Sequence, residues 1–288
     1  MPQQANMSPI LLISPDGMLG RAIQALLLQR GAAFEAVSYP AFDITSTDSV
    51  ERAVTSRFRV VINCSGFTDV DGAEAREAEA TLVNAAGVQH LANRCRTTGA
   101  LLVHYSTDYV FDGAASEPYR VDQPRQPQNA YGRSKAKGEA FLETSGCQYL
   151  LLRTSWLYAP WGKNFVETIA RFGRERPVLR VVADQRGRPS SAEYLAARSL
   201  ALMEREARGI FHLTDGGECT WFEFAQAIVT QTGGSARVDA CTSEEYPSPV
   251  RRPSYSVLDL SATEALLGPS RTWQNNLADV LRPRVAGS

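Results

Sequence analysis

The first patterned stretch of the chain is ILLIS, Ile10 to Ser14, apolar at four successive positions. A strand without polar alternation offers no face to water, so it has to be covered on both sides. The period then changes at once. In GMLGRAIQALLLQRG, Gly17 to Gly31, apolar residues recur every three or four positions, as on a helix. The alternation continues through FEAVS, the helical TSTDSVERAV, RVVINCS, a long helical stretch from about Asp71 to Thr98, and ALLVHYS. Buried strands separated by helices build a parallel sheet covered on both faces.

Right-handed crossovers wind such a sheet in two directions and leave the ligand site at the carboxyl ends of its strands. The expected fold class is therefore α/β: a doubly wound parallel sheet of the Rossmann type, with a smaller, discontinuous C-terminal substrate lobe. A dinucleotide-binding domain is expected over 8–154, with YLLLRTS as a further strand. VLRVVAD (178–184) and GIFHLTD (209–215) are expected to join the same sheet. Residues 155–288 form most of the lobe, from helices such as TWFEFAQAIVTQTG and from proline-rich connections at 118–127 and 247–253.

A formal net charge of −1 gives no electrostatic case for nucleic acid or an anionic membrane as partner. The five cysteines include no C-x-x-C pair, and the three histidines lie far apart, which points to a reducing compartment and to no metal centre. MPQQANMSP lacks a basic leader, and the apolar run after it is broken by Pro15, Asp16 and Gly17. Neither a signal peptide nor a membrane span is expected, and the cytoplasm is the default location.

The first strand runs into SPDGMLG. A dinucleotide turn needs glycine where the backbone bends and approaches the pyrophosphate, with a helix N-terminus aimed at the negative charge. Gly17 and Gly20 match the second and third glycines of such a turn; Ser14 stands at the first. Asp43, in FDIT after the second strand, accepts from an adenine amino group or caps the next helix. The end of that strand, VSYP, has neither an acid for a free ribose 2′-hydroxyl nor an arginine for a 2′-phosphate, so NADH and NADPH both remain open.

The fourth strand ends in HYSTDYVFDG, which places the hydroxyls of Ser106 and Thr107 at the carboxyl edge. NAYGRSKAKGE follows, with Tyr131 four residues before Lys135 and so on the same helix face. Lysine is rare in this chain, occurring only at 135, 137 and 163 among 30 lysines and arginines. A compact ammonium is expected to lower the pKa of the phenol from about 10 toward working pH. The phenol then delivers a proton to a ketone oxygen that Thr107 positions.

With these residues in view, the chain resembles the dTDP-4-dehydrorhamnose reductase family of extended short-chain dehydrogenase/reductases over nearly its whole length. NCSGFTDVDGAE, VNAAGVQHLA, HYSTDYVFDG, NAYGRSKAKGE, LLRTSWLYAPWGKNF, VVADQRGRPSSAEYLA and VRRPSYSVLDLS carry the resemblance, in the family's order. It implies Thr107, Tyr131 and Lys135 as the catalytic trio, the last two also touching cofactor. It implies further contacts to NADPH or NADH at Gly17, Met18, Leu19, Gly20, Asp43, Ile44, Cys64, Ser65 and Gly66. It suggests contacts to a nucleotide-sugar substrate from Val70, Thr107, Asp108, Tyr109, Trp156, Asn164 and Arg252. Read alone, Trp156 favours core or lobe packing over a sugar platform, and Arg252 a surface cation; a diphosphate suits the guanidinium fork. Besides Ser14, the chain departs from the family at Tyr39, where a basic residue is common, and at Val121, where an acid is. The expected reaction is NAD(P)H-dependent reduction of the 4-keto group of a dTDP-linked 6-deoxyhexose, in deoxysugar biosynthesis. The alternatives are a nucleotide-sugar epimerase or dehydratase and a non-catalytic NAD(P)-binding regulatory subunit. Dehydratases of this kind carry Asp-Glu after the threonine, and here the run is Thr107-Asp108-Tyr109. The sequence leaves a homodimer open.

Overall fold

In the computed structural model of the chain, residues 9–246 and 248–282 are described; the expected domain limits at 8 and 288, and Pro247 in the second proline-rich connection, lie outside them. Strand β1 (Ile10–Ile13) leads into α1 (Met18–Gln29), then β2 (Phe34–Val37), α2 (Thr47–Ala53) and β3 (Val60–Asn63). The long helical stretch is broken at Arg76 into α3 (Val70–Ala75) and α4 (Glu77–Thr81), continues as a π-helical turn (Leu82–Ala86) and ends as α5 (Gly87–Thr98). Next come β4 (Leu101–Thr107), α6 (Ala130–Thr144), β5 (Tyr149–Thr154), β6 (Leu157–Tyr158), α7 (Phe165–Glu175) and β7 (Val178–Val182). The chain continues through β8 (Arg186–Gly187), β9 (Ser190–Ser191), α8 (Ala192–Glu204), β10 (Gly209–His212) and β11 (Cys219–Thr220). It closes with α9 (Trp221–Gln231), β12 (Arg237–Cys241), α10 (Ser261–Leu267) and α11 (Trp273–Leu281).

Six strands form one parallel sheet in the order β10-β5-β4-β3-β1-β2. Alternation along each strand divides the core into two layers. Ile10 and Leu12 enter the layer that faces α1 and α8, whereas Leu11 and Ile13 enter the layer that faces α2 and α5. The same division separates Val60 and Ile62 from Val61, and Leu150 and Leu152 from Leu151. Both layers are closed to water, as the unbroken apolar runs require. The strand order reverses at β1, which pairs β2 on one side and β3 on the other. A crevice at the carboxyl ends of β1 and β3 is where such sheets take their ligands.

One expected strand lies elsewhere. The segment read as 178–184 does not join the sheet: β7 pairs in parallel with β12 in a separate two-stranded sheet. The physical reason is its second face, since Val178 and Arg180 are exposed while Leu179 and Val181 are buried. A central strand of the main sheet has no place for a solvated Arg180. β10, from the 209–215 segment, does pair with β5. The lobe has its own core, in which Phe224, Ile228, Trp273 and Leu277 pack against Val166 and Leu179. Among the described residues, no helix is long and apolar enough to cross a membrane.

Candidate active site

The site begins with how α6 is held. Asn129 is its N-cap, the side-chain oxygen accepting from the Gly132 N–H at 2.8 Å. Glu74 of α3 accepts the otherwise unpaired Ala130 N–H at 2.8 Å, and Arg133 forms two bonds to Glu77 of α4 at 2.8 and 2.7 Å. Gly132 permits a close approach: a Cβ there would stand 2.2 Å from the Tyr109 carbonyl oxygen. The end of β4 therefore lies directly against the first turn of α6, and the rings of Tyr109 and Tyr131 pack edge-on, with centroids 5.9 Å apart and planes at 77°.

Lys135 is buried, and its ammonium donates to the Tyr105 carbonyl at 2.6 Å. Burial lowers its pKa to about 8, against the pull of the Glu139 carboxylate one turn on. Glu139 is itself fully buried and is held ionised chiefly by Arg153, with bonds of 3.0 and 2.7 Å, and by Arg125 at 3.0 Å. Ser106 does not open onto the site; its hydroxyl is buried beside Glu139. Thr107 does face the phenol. Its hydroxyl donates to Asp108 at 3.0 Å and accepts from the Tyr109 N–H at 3.2 Å. The buried Asp108 carboxyl is pushed up to about 6 by desolvation, which the neighbouring Ser256 and Thr107 hydroxyls partly offset.

Burial, and after it the Asp108 charge, push the Tyr131 phenol well above its ordinary value, with Thr107 acting the other way. This corrects the expectation that Lys135 lowers it. The ammonium is engaged with the Tyr105 carbonyl, and desolvation of the phenolate is the larger effect. The correction suits a proton donor, since a phenol with a raised pKa stays protonated at neutral pH.

On the other side of the crevice, the β1–α1 turn is built from backbone. Ser14 has φ 59°, the left-handed region, so the first glycine position does need a conformation in which serine is strained. Gly20 cannot be replaced without moving the turn, because a Cβ there would lie 1.9 Å from the Ser14 carbonyl oxygen. Gly17 caps α1 without any side-chain hydrogen bond, and a Cβ there would find nothing closer than 3.7 Å. The leading amides of α1 are thus left for an anion. Leu19 is buried in the core, so only its backbone faces the turn. The oxygen Oδ1 of Asp43 accepts from the Thr45 N–H and hydroxyl at 2.9 and 2.7 Å, while Ser46 caps α2; the helix-cap reading of Asp43 is withdrawn. Ile44 is buried against Gly87.

Cys64, Ser65 and Gly66 follow β3. Asn63 fixes them by accepting from the Ser65 N–H and hydroxyl at 3.0 and 2.6 Å. A Cβ on Gly66 would stand 3.9 Å from the Lys135 nitrogen, so this loop borders Lys135. Asn84, in the π-helical turn, bonds both backbone groups of Phe67 at 2.9 and 3.0 Å and the Ser134 hydroxyl at 2.9 Å, joining that loop to α6. Sequence reading missed Asn84, which is buried; its signal in the chain is an asparagine in the middle of an apolar helical stretch. An uncapped helix start, a turn open at Gly17 and a buried ammonium beside a loop of small residues together fit a dinucleotide.

The expected substrate residues are less concentrated. Val70 begins α3, half-buried. Arg252 reaches the mouth of the site, bonding Asp71 at 2.8 Å and bordering, with Tyr109, Gln128 and Arg251, a cavity of about 170 Å³. Trp156 has φ 46° and stacks on Trp221 with ring centroids 3.6 Å apart. Asn164 is the N-cap of α7, its amide also donating to the Ala159 carbonyl at 2.8 Å. Of the two departures, Tyr39 is 76 % exposed beyond β2, and Val121 acts through its carbonyl, which accepts from Arg153 at 3.0 Å.

The RmlD substrate binding domain profile matches residues 7–285. The chain belongs to the dTDP-4-dehydrorhamnose reductase family. It is 41% identical over 278 residues to a Streptomyces griseus protein named dTDP-4-dehydrorhamnose reductase, covering 93% of this chain and 91% of that one. A crystal structure of a dTDP-4-dehydrorhamnose reductase from Clostridium acetobutylicum superposes with TM-score 0.91 at 37% identity, covering 94% of this chain and 98% of that chain. A Bacillus anthracis dTDP-4-dehydrorhamnose reductase in complex with NADP superposes with TM-score 0.90 at 33% identity, covering 94% and 97%. The run Thr107-Asp108-Tyr109 has no glutamate after the aspartate, unlike the Asp-Glu expected of a dehydratase.

Proposed function

We propose that this chain reduces the 4-keto group of a dTDP-linked 6-deoxyhexose with NADPH or NADH, as an oxidoreductase of deoxysugar biosynthesis. The observation that carries the reading is the face of α6: Tyr131 and the buried Lys135, one turn apart, opposite Thr107. A purely regulatory protein has no need of a buried ammonium one helical turn from a half-buried phenol.

When bound, the nicotinamide supplies the hydride. Tyr131 holds the proton that the ketone oxygen receives, and Thr107 donates to that oxygen after exchanging its present acceptor, Asp108. Lys135 uses its remaining N–H donors to orient the ribose and keeps positive charge near the phenol as it gives up its proton. The amides after Gly17 receive the pyrophosphate, and Cys64 to Gly66 wall the nicotinamide side. Asp108, Tyr109, Val70, Trp156 and Arg252 surround the nucleotide sugar, with Asn164 shaping the loop before α7. In this reading residues 8–154, with β10 completing the sheet, serve the cofactor, and most of 155–288 serves the substrate.

Purified protein is to be mixed with NADPH, or NADH, and a panel of dTDP-4-keto-6-deoxysugars, following cofactor oxidation and the product by mass. Oxidation that depends on a keto-sugar, with a product two mass units heavier by hydride and proton, is the expected result. Tight cofactor binding with no turnover on any member would favour the regulatory-subunit reading instead.

A further inference from the structure

The short stretch from Trp156 to Asn164 joins parts of the site that the sequence treats separately. It starts at the stacked Trp156, passes through β6 and ends at the cap of α7. Asn164 closes it into a compact turn, donating to the carbonyls of Ala159 at 2.8 Å and of Trp161 and Gly162 at 3.3 Å each. From this turn Trp161 crosses to the cofactor side. Its indole N–H donates to the Met18 carbonyl in the first turn of α1 at 3.1 Å, and the Arg21 guanidinium lies 5.4 Å above its ring. Met18 and Trp161 both pack against the core layer that α1 covers.

We propose that Trp161 is a positioning residue that couples cofactor and nucleotide-sugar binding. Gly17 provides no side-chain cap, so the start of α1 is fixed by its own backbone and by what leans on it from outside. Trp161 is the clamp that arrives from the substrate side. A nucleotide sugar that orders the Trp156–Asn164 stretch seats the indole on Met18 and so presents the α1 amides in place. A dinucleotide that orders those amides seats the same clamp from the other end. Each ligand then meets a partner already ordered by the other, and the linkage is reciprocal. The inference rests on the reading of this site as one for NADPH and a dTDP-sugar.

The test is a pair of equilibrium titrations, NADPH fluorescence with and without saturating dTDP, on the parent and on Trp161→Phe. Phenylalanine keeps an aromatic ring against the core while removing the N–H donor and the second ring of the indole. In the parent, dTDP is expected to tighten NADPH binding several-fold. In Trp161→Phe, NADPH alone should bind roughly fivefold more weakly, the loss of a neutral hydrogen bond. The tightening by dTDP should fall to about one, with the thermal midpoint close to the parent's. Trp161→His, which restores a ring N–H, should recover part of the coupling, and it serves as the second variant if the phenylalanine protein is unstable. Equal coupling in parent and variants overturns the proposal, as does a parent that binds both ligands independently; neither outcome touches the reductase reading. A parent that binds neither ligand sinks the reading and the inference together.

Discussion

The two ends of the crevice work in opposite ways. At the β1 end, the groups aimed at the ligand are backbone amides, and the residues that place them, Gly17 and Gly20, contribute by having no side chain. At the β4 end, the working groups are side chains, and Asp108, Lys135, Glu139 and Arg153 are all buried ionisable groups. Burying a charge costs several kcal/mol unless partners compensate, so the second end is held by a lattice of bonds that the first does without. The difference teaches where substitutions matter. A backbone-made site tolerates a change of side chain that leaves φ and ψ accessible and drives no Cβ into the backbone, as one at Gly20 would; a side-chain-made site does not tolerate even a change that keeps the charge.

The largest effect is expected at Tyr131. Tyr131→Phe removes the proposed proton donor and leaves the ring packed edge-on to Tyr109. Turnover should fall on the order of 10²- to 10⁴-fold, with NADPH affinity and thermal midpoint near the parent's. Near-normal turnover would place the donor elsewhere and dissolve the contrast between the two ends.

Lys135→Arg comes next and should be judged against Lys137→Arg on the same helix. Lys135 is buried, whereas Lys137 is exposed. A guanidinium at 135 overfills the site, which costs about 1–3 kcal/mol, and spreads the charge away from the Tyr105 carbonyl. A loss of about 100-fold in kcat/KM is expected there, and a change within about 0.5 kcal/mol in stability at 137. The parent carries a pH signature of the same residue. With its folded pKa near 8, below the ordinary 10.5, Lys135 is charged below pH 8 and neutral above it. NADPH affinity should therefore hold up to about pH 8 and weaken beyond. The stability contribution runs the other way: between 8 and 10.5 the unfolded chain holds a proton that the folded chain has shed, so stability from this group rises with pH. Flat binding from pH 7 to 10 would show that the ammonium does not touch the cofactor.

How much of this could be read from the chain follows the same division. ILLIS, RVVINCS and YLLLRTS announced central strands because burial on both faces shows as an unbroken apolar run, ILLI in β1, VVI in β3 and LLL in β5. The i, i+4 spacing of Tyr131 and Lys135 was likewise legible, being local to one helix. VLRVVAD was misread, although Arg180 at its centre already marked a strand with a wet face. Three features were out of reach because they depend on contacts distant in sequence. Burial dominates the Tyr131 phenol, Glu139 meets Arg153 across 14 residues, and Trp161 meets Met18 across 143.

Cofactor choice is expected to be weak. Beyond β2 lie Ser38, the exposed Tyr39 and Pro40, and one oxygen of Asp43 is already held by Thr45. With no charged side chain at Ser38, Tyr39 or Pro40, kcat/KM for NADPH and NADH should differ by less than about 100-fold, roughly 2.7 kcal/mol. A larger ratio would mean that a charged side chain reaches the backbone-made end after all.

The smallest expected effect tests that end most directly. Ser14 holds φ 59°, where a residue with a Cβ is disfavoured by about 1–2 kcal/mol, while its N–H bonds the Val37 carbonyl at 2.8 Å. Ser14→Gly relieves that strain and keeps the backbone bond. Glycine also gives the unfolded chain more freedom, which offsets about 0.5–1 kcal/mol of the gain. The net stabilisation should be about 0.5 kcal/mol, a rise of about 1–2 °C in thermal midpoint for a chain of this size. If amides alone receive the pyrophosphate, NADPH affinity should change by less than about twofold, well under the effect of a lost hydrogen bond. Calorimetry and fluorescence titration on the purified variant measure both. A tenfold loss of NADPH affinity would show that the Ser14 hydroxyl bonds a phosphate oxygen, and the β1 end would then owe part of its grip to a side chain.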